Sequence, residues 1–246
     1  MRIGLLADIH GNFIALEKVL SELQQEQVDQ IICLGDVAAL GPQPHEVLER
    51  LRELRCPVVM GNTDDWYLQP LPEGDEELRE IVGWGLGQLT DADLAYLHSF
   101  QPVIKKTLET GQTLLCYHGS PRSYHDVIAS TTPVAEIKSM FEGYQAEIIV
   151  GGHTHVQMMR RYERAWLINP GSVGLPGVGP QREDLPRNTD VHWAEYAIMT
   201  LHNGHVSVDL RRTPLDIPAL LHVGSASGMP DLDSWVRTWH NPEQAE

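Results

Sequence analysis

Residues 2–12 read Arg-Ile-Gly-Leu-Leu-Ala-Asp-Ile-His-Gly-Asn, and this stretch carries most of the information about the fold. Its first six residues form a short apolar run, which is typical of a buried strand. Asp8 and His10 follow at once, and Asn12 can cap a helix that begins after it. Apolar residues then recur at helical spacing, at Leu16, Val19, Leu20 and Leu23. The stretch predicts a strand and a helix with polar side chains at their junction.

The same arrangement recurs twice in the first third of the chain. Residues 31–34 are a second apolar run, closed by Gly35, and residues 58–60 are a third, closed by Gly61. Between these runs, Pro44 suits the first turn of an amphipathic helix. The resulting order β-α-β-α-β predicts a parallel sheet with helices on its faces.

The later residues predict more strands than helices. Helices are expected within residues 66–100, where residues 90–93 resemble a capping box, and at residues 133–141. Strands are expected at residues 113–117, 147–150, 166–168, 196–201 and 205–210. Asn203-Gly204, between the last two strands, is a strong signal for a β-hairpin.

No shift in composition marks a domain boundary. We therefore predict a single domain over residues 1–246, with a peripheral tail from about residue 223 in which Trp235 and Trp239 are candidate anchors. Residues 170–191 are rich in glycine, proline and charge, and they predict a long loop of the kind that is usually functional or disordered.

The charge and cysteine content narrow the class of protein. The 246 residues include 34 Asp and Glu against 18 Lys and Arg, a formal net charge of −16. This balance disfavours long nucleic acid as a partner, but it permits a small phosphorylated substrate such as a nucleotide. No stretch approaches the ~20 apolar residues that span a bilayer, so no membrane partner is expected. Sparse cysteines beside apolar runs (Cys33, Cys56 and Cys116) predict free buried thiols and a cytoplasmic location. A homo-oligomer remains open.

Five short segments place ligand-type residues directly after apolar runs. They are Asp8-Ile-His10-Gly-Asn12, Gly35-Asp36, Gly61-Asn62-Thr63-Asp64, His118-Gly119 and Gly151-Gly-His153-Thr-His155. The carboxyl ends of parallel strands converge on one crevice, and all these side chains offer oxygen or nitrogen to a divalent metal. Any one segment alone is more typical of a turn, but five with the same layout favour a metal site.

The spacing within the segments suggests how the ligands are arranged. Asp8 and His10 are two residues apart, so both point the same way if the strand continues through them. His153 and His155 repeat that spacing. A carboxylate such as Asp36 has two oxygens and can bridge two metal ions.

Taken in order, these motifs resemble those of the calcineurin-like metallophosphoesterase superfamily. Residues 169–174, Asn-Pro-Gly-Ser-Val-Gly, are similar to a segment of its small bacterial phosphodiesterase branch. The resemblance runs from residue 1 to about residue 200. It implies an α/β (α+β) fold, a four-layer αββα sandwich with two mixed β-sheets.

The resemblance also implies two metal sites. Asp8, His10, Asp36 and His155 would hold one ion, and Asp36, Asn62, His118 and His153 would hold the other. The two divalent ions in this family are usually Mn, Fe or Zn, and the sequence does not choose among them. Two such ions ~3.5–4 Å apart can activate a bridging water, and the resulting hydroxide attacks phosphorus in line.

The expected activity is therefore metal-dependent hydrolysis of a phosphodiester, with Asp36 and Asn62 as catalytic residues. A phosphomonoesterase or a protein phosphatase is one alternative. A non-catalytic metal-binding scaffold of the same fold is another.

One position departs from the family pattern. Many members have histidine after the asparagine of the third motif, where it is thought to protonate the leaving group, but this chain has Thr63. General acid help is typically worth ~10²–10⁴-fold. Three interpretations follow: the substrate has a good leaving group, another residue such as His125 supplies the proton, or catalysis has been lost.

Several further residues are weaker candidates for substrate contacts. Thr63, His125 and Arg182 are the predicted substrate-binding residues, with Arg122 and Arg187 as further possible phosphate clamps. Trp66 and Tyr67 are expected mainly in the core, although either ring can stack on a base or aryl group. His45 is expected to be solvated on the polar face of its helix.

Overall fold

The computed structural model describes residues 1–71, 74–177, 179 and 191–239. Within these ranges there are nine strands and eight helices. The strands are Arg2–Leu6 (β1), Gln30–Cys33 (β2), Ile104–Thr107 (β3), Thr113–Cys116 (β4), Ile148–Val150 (β5), Met158–Tyr162 (β6), Ala165–Asn169 (β7), Trp193–His202 (β8) and His205–Pro214 (β9). The helices are Phe13–Gln25 (α1), Pro44–Glu53 (α2), Asn62–Asp65 (α3), Glu76–Gln88 (α4), Asp91–Leu97 (α5), Val134–Met140 (α6), Ile217–Ser227 (α7) and Leu232–Trp239 (α8).

The strands form two mixed sheets. The first has the order β2-β1-β8-β9, with β1 parallel to β2 and antiparallel to β8. The second has the order β3-β4-β5-β7-β6, with β4, β5 and β7 parallel and the two edge strands antiparallel. Each sheet therefore has parallel strands whose carboxyl ends can carry a site.

Three apolar clusters show how the layers stack. Alternate side chains such as Leu5 and Cys116 fill the space between the two sheets. Leu6 faces the other way, onto α1 and α2, and Leu115 packs against α6. Because central strands such as β1 and β5 bury both of their faces, the order of layers is helix, sheet, sheet, helix. The predicted four-layer αββα sandwich with two mixed sheets is confirmed.

The local predictions near the amino terminus are confirmed in part. Asn12 caps α1, accepting a hydrogen bond from the Ala15 N–H at 3.1 Å. The third predicted strand is wrong: Val58 and Val59 form only single bridges, to Cys33 and Gln101. Helix α3 begins at Asn62, three residues after Val59, so these residues form no extended β-ladder.

Two edge strands were not predicted from the sequence. In β3 the side chains alternate between half-buried and exposed, and β6 contains Arg160 and Arg161, so neither forms an apolar run. The predicted hairpin is confirmed: Asn203 and Gly204 both have positive φ, 49° and 77°, as a two-residue type I′ turn requires.

The tail helices pack beside the sandwich. Trp235 and Trp239 of α8 are buried with Leu220 and Met229, and they contact Leu175 from the loop after β7. The extent of the single domain stays a prediction, because residues 240–246 lie outside the described residues, as do residue 178 and residues 180–190 of the predicted loop.

The three cysteines are free and buried, as the sequence predicted. Among the described residues, no helix combines the length and apolar character needed to cross a bilayer.

His45 was expected to be solvated, but its side chain is only 33% exposed and it contacts a buried acid. Its Nδ1 lies 2.6 Å from a carboxylate oxygen of Asp93, which is fully buried. Asp93 also receives a hydrogen bond from Arg52 and caps α5 together with Thr90, in the predicted capping box. A buried charge is costly unless it is hydrogen-bonded, so the contact with His45 stabilises the Asp93 carboxylate.

This contact predicts a pH-dependent stability. The hydrogen bond to Asp93 raises the pKa of His45 above its ordinary value of 6.5. Protonated His45 therefore stabilises the fold below that ordinary value, and the contribution is lost as pH rises through the higher folded-state value. In urea unfolding, His45→Gln is expected to lose more stability relative to wild type at about pH 5.5 than at about pH 8.5. His98→Gln, at the exposed end of α5, is the control; an equal loss at both pH values would contradict the assignment.

Candidate metal centre

The seven predicted ligands meet at the carboxyl ends of both sheets. Asp8 and His10 follow β1, and Asp36 follows β2, all from the first sheet. The second sheet contributes three histidines, His118 after β4 and then His153 and His155 after β5, while Asn62 begins α3. All seven side chains are at most 9% exposed.

Six of these side chains fall into two groups that share one carboxylate. The first group is Asp8, His10, Asp36 and His155, and the second is Asp36, His118 and His153. Within each group, one possible ligand atom from every residue lies within 4.8 Å of all the others. The Asn62 Oδ1 lies 3.0 Å from the Nε2 of His118, beside the second group. This is the grouping that the sequence resemblance implies, and the role of each residue as a ligand stays a prediction.

The backbone at Asp8 and His10 is not the continued strand that the sequence predicted. β1 ends at Leu6, so no strand continues through Asp8 and His10, and both have left-handed φ angles, 55° and 48°. Asp36, His153 and His155 are also left-handed. Non-glycine residues rarely adopt this conformation, and it concentrates at functional sites where the surroundings impose it.

Hydrogen bonds between neighbouring loops impose that conformation. The Asp8 and His10 N–H groups donate to the carbonyls of Gly35 and Asp36, both at 3.0 Å. The His153 N–H donates to the Asp8 carboxylate at 3.1 Å, which connects the first sheet to the second. These hydrogen bonds thus join the three loops that follow β1, β2 and β5.

Asp64 stands in the third motif, but the sequence did not predict its supporting role. Its carboxylate accepts hydrogen bonds from the N–H groups of Asp36 and Val37 at 2.8 Å and of Gly61 at 3.0 Å. Burial and the nearby charge of Asp36 raise the pKa of Asp64 to about 7, while the Val37 and Gly61 N–H donors oppose that rise. Its only sequence signal is an acid two residues after a predicted ligand.

Gly61 lets the third motif approach the shared carboxylate. A Cβ at this position would lie 2.1 Å from the Asp36 Oδ1 and 2.3 Å from the Asp36 nitrogen. The first turn of α3 then presents the Thr63 N–H to Asp36 Oδ1 at 2.9 Å. Only glycine permits this contact, which explains the Gly-Asn pair in the motif.

Three histidine rings are oriented by backbone carbonyls. The Nδ1 atoms of His10, His118 and His155 lie 3.1, 2.8 and 2.7 Å from the carbonyl oxygens of Ala39, Leu34 and Leu175. A carbonyl only accepts, so each Nδ1 carries the proton and each neutral Nε2 presents a lone pair.

These lone pairs are directed at one another or at oxygen atoms. The Nε2 atoms of His10 and His155 are 3.1 Å apart, and that of His118 lies 3.4 Å from an oxygen of Asp36. Neutral rings would bring acceptors together without a donor, so each position requires either a proton or a metal ion between the groups. The arrangement fits a bound cation.

The pKa shifts show where protons substitute for that cation. Burial lowers the pKa of His10 to about 4, and burial with the charge of His118 lowers that of His153 to about 4. Burial also opposes charge on His118, but Asp36 outweighs it and raises the pKa to about 9. Asp8 likewise raises the pKa of His155 against burial. In each group one histidine is driven to hold a proton and the other is not.

The donor set suits the predicted metals. The Nδ1 of His153 is buried and has no hydrogen-bond partner among the described residues. A buried nitrogen without a partner is costly unless a ligand binds to it. His153 belongs to the second group, so a metal ion there is such a ligand. Imidazole nitrogens combined with carboxylate oxygens fit Mn, Fe or Zn.

The segment at residues 169–174 supports the loops that carry the ligands. The Asn169 side-chain amide donates to the Gly152 carbonyl at 2.7 Å, next to the ligand loop after β5. The Ser172 hydroxyl donates to the Asp8 carbonyl at 2.7 Å. This segment thus contacts both the Asp8 loop and the His153 loop and fixes them relative to each other.

A cavity of about 430 Å³ opens onto the centre. Beside ligand residues it is lined by Leu40, Thr63, Trp66, His125, Leu175 and Gly179. Two predicted substrate residues, Thr63 and His125, therefore lie at the site. Tyr67 is buried in the core, as expected.

Arg122, the predicted arginine clamp within the described residues, does not line the cavity. Arg122 is bound to Asp126 and to the Ser139 carbonyl instead. Arg182 and Arg187 lie outside the described residues.

The family model and the named relative both indicate a phosphoesterase family. A model described as the calcineurin-like phosphoesterase superfamily domain matches residues 1–185. The phosphodiesterase YfcE of Escherichia coli is 27% identical over 192 residues, covering 73% of this chain and 83% of YfcE. An uncharacterized protein of Methanocaldococcus jannaschii is 27% identical over 194 residues, covering 72% of this chain and 78% of that protein.

Solved structures resemble nearly the whole chain. A metallophosphoesterase from Sphaerobacter thermophilus has a TM-score of 0.73 and 27% identity, covering 98% of this chain and 99% of that one. A hypothetical protein from Pyrococcus horikoshii has a TM-score of 0.76 at 19% identity, covering 97% and 98%, which is a likeness of fold.

Proposed function

Because the chain belongs to the calcineurin-like phosphoesterase superfamily, we propose that it hydrolyses phosphodiesters with two divalent metal ions held at this centre. The observation that carries the proposal is the set of histidine rings whose Nε2 lone pairs converge on the carboxylates. Buried lone pairs in this arrangement are satisfied by a cation, and a cation at a cavity is what phosphoester chemistry uses.

The residues divide between the two ions as follows. Asp8, His10 and His155 would hold one ion, and Asn62, His118 and His153 the other, with Asp36 shared. When bound, such ions polarise the phosphate oxygens and activate water as the nucleophile. Asn62 also lines the cavity, so its amide N–H is available to a phosphate oxygen.

The preference for diesters has two supports. YfcE, a relative of this chain, is named a phosphodiesterase. Within the described residues, the cavity lining contains no lysine or arginine. A phosphodiester carries one negative charge and a monoester up to two, so the described part of the lining suits the diester better. The substrate is expected to be small, because the net charge of −16 repels a long polyanion.

Two other functions remain distinguishable by experiment. A phosphomonoesterase or protein phosphatase would use the same ligands, and a non-catalytic scaffold would bind metal without turnover. Thr63 in place of a proton donor is the feature that favours the scaffold. The intact set of buried ligands favours catalysis, because a site that has lost its activity usually loses some of its ligands.

The test is a hydrolysis screen on metal-stripped protein reloaded separately with Mn²⁺, Fe²⁺ or Zn²⁺. We expect turnover of bis(4-nitrophenyl) phosphate with at least one metal, a lower kcat/KM for 4-nitrophenyl phosphate, and no turnover after chelation. Metal binding without hydrolysis of either ester would support the scaffold instead. Faster hydrolysis of the monoester would support the phosphomonoesterase.

A further inference from the structure

Hydrolysis of an ester with a poor leaving group needs a proton for the departing oxygen. Thr63 cannot supply one near neutral pH, and the four histidines of the two groups are committed to the metal centre. Among the described residues that line the cavity, His125 is the remaining imidazole. Imidazole is the side chain most often used as a general acid.

His125 is exposed, but its loop is well defined. The turn at Ser120 and Ser123 is closed by two backbone hydrogen bonds, and the Ser123 hydroxyl accepts from the His125 N–H at 3.1 Å. The Ser120 hydroxyl donates to Asp126 at 2.6 Å, which fixes the far side of the loop. These hydrogen bonds fix the backbone that carries His125 at the edge of the cavity.

The same loop is held against the metal centre through Gly119, the neighbour of His118. A Cβ on Gly119 would lie 2.6 Å from the Tyr124 carbonyl oxygen and 2.8 Å from that of Asp126. This backbone contact places the residues on both sides of His125 next to a ligand residue. The position of His125 relative to the centre is thus set by packing.

Two further observations mark this part of the cavity as a binding surface. Thr63 lines the cavity, and its buried Oγ1 has no hydrogen-bond partner among the described residues. Trp66 is half-buried one turn later and lines the same wall with Leu40 and Leu175. An unpartnered hydroxyl beside an indole and two leucines suits a ligand with one polar atom and an aromatic ring.

We propose that Thr63, Trp66 and His125 form the subsite for the leaving group, which is an alcohol that carries an aromatic ring. The inference rests on the proposed phosphodiesterase function. Trp66 contacts the ring, and the Thr63 hydroxyl donates to an ester oxygen. Water attacks phosphorus and forms the new P–O bond as the bond between phosphorus and the leaving oxygen breaks. The leaving oxygen takes the bond pair, and the proton of the His125 imidazolium passes to it. The proton that the attacking water releases returns to the His125 imidazole through solvent.

The first experiment compares methyl 4-nitrophenyl, methyl phenyl and methyl benzyl phosphates on the metal-loaded full chain. The leaving groups become progressively poorer in that order. We expect His125→Gln to lower the ratio of benzyl to 4-nitrophenyl turnover by about 10²-fold. Its metal content should equal that of wild type, and His98→Gln, outside the cavity, should leave the ratio unchanged.

The second experiment measures binding rather than turnover, with benzyl phosphonate and methyl phosphonate in titration calorimetry. Wild type is expected to bind the benzyl compound more tightly, and Trp66→Leu should reduce that preference about two- to tenfold. Thr63→Val, which removes only the hydroxyl, should weaken both compounds by about fivefold.

The outcomes separate this inference from the proposed function. An unchanged leaving-group ratio in active, metal-loaded His125→Gln would overturn the role of His125 and leave the phosphodiesterase assignment standing. An unchanged benzyl preference in Trp66→Leu, or unchanged affinities in Thr63→Val, would remove that residue from the subsite. Failure of wild type to cleave any of the three diesters would overturn both proposals.

Discussion

Replacing Asp36 with alanine is expected to remove metal from both halves of the centre and to lower phosphodiester turnover by about 10³-fold or more. Asp36 is the only residue that belongs to both groups of ligand atoms within the described chain. Its Oδ1 lies 3.4 Å from the His118 Nε2 and its Oδ2 lies 3.7 Å from the His10 Nε2. The charge of His118 holds the pKa of this carboxyl well below its usual range despite burial, so it is ionised and ready to bind cations.

The measurement is metal content after dialysis together with kcat/KM for bis(4-nitrophenyl) phosphate. Asp65→Ala, at the end of α3 and outside both groups, is the control and should keep both values. Asp36→Asn retains oxygen and shape but not charge, and it should fall between the other two. Full metal content and activity in Asp36→Ala would refute the shared role.

Replacing Asp64 with alanine is expected to destabilise the metal-free protein by about 3–5 kcal/mol. Three backbone N–H groups, those of Asp36, Val37 and Gly61, would lose their acceptor in a buried place. A buried donor left unsatisfied costs about 1–3 kcal/mol. The three N–H groups are neighbours and the loops can relax around them together, so the combined loss of stability is smaller than three separate losses. Metal affinity should also fall by about 10–100-fold, because these N–H groups orient the Asp36 loop.

Urea unfolding of the metal-free variants measures the first effect, and competition with a chelator measures the second. Asp64→Asn keeps one carbonyl oxygen as an acceptor, so its loss of stability should be clearly smaller than that of Asp64→Ala. Equal stability of Asp64→Ala and wild type would show that these hydrogen bonds do not hold the loops.

Much of the site could be predicted because apolar runs reveal where strands end. Asp36 and His118 follow strands whose side chains are buried, and such strands leave a clear pattern in the sequence. The carboxyl ends of parallel strands then meet at one edge. The number of layers could be predicted only from the resemblance, since periodicity does not say which strands share a sheet.

The remaining features depend on contacts between distant segments. The left-handed backbone of Asp8 and His10 is imposed by the carbonyls of Gly35 and Asp36, and nothing in the local sequence encodes it. Asp64 could not be identified because an acid in a short helix usually faces solvent. The side chain of His45 is 33% exposed, but its contact with Asp93 could not be predicted because the two residues are 48 positions apart.

The most direct test of the dinuclear centre is anomalous diffraction from crystals of the protein soaked in Mn²⁺. The account predicts two anomalous peaks per chain, one at each group of ligand atoms, with Asp36 contacting both. It also predicts that both peaks disappear in Asp36→Ala. A single peak, or peaks away from these residues, would contradict it.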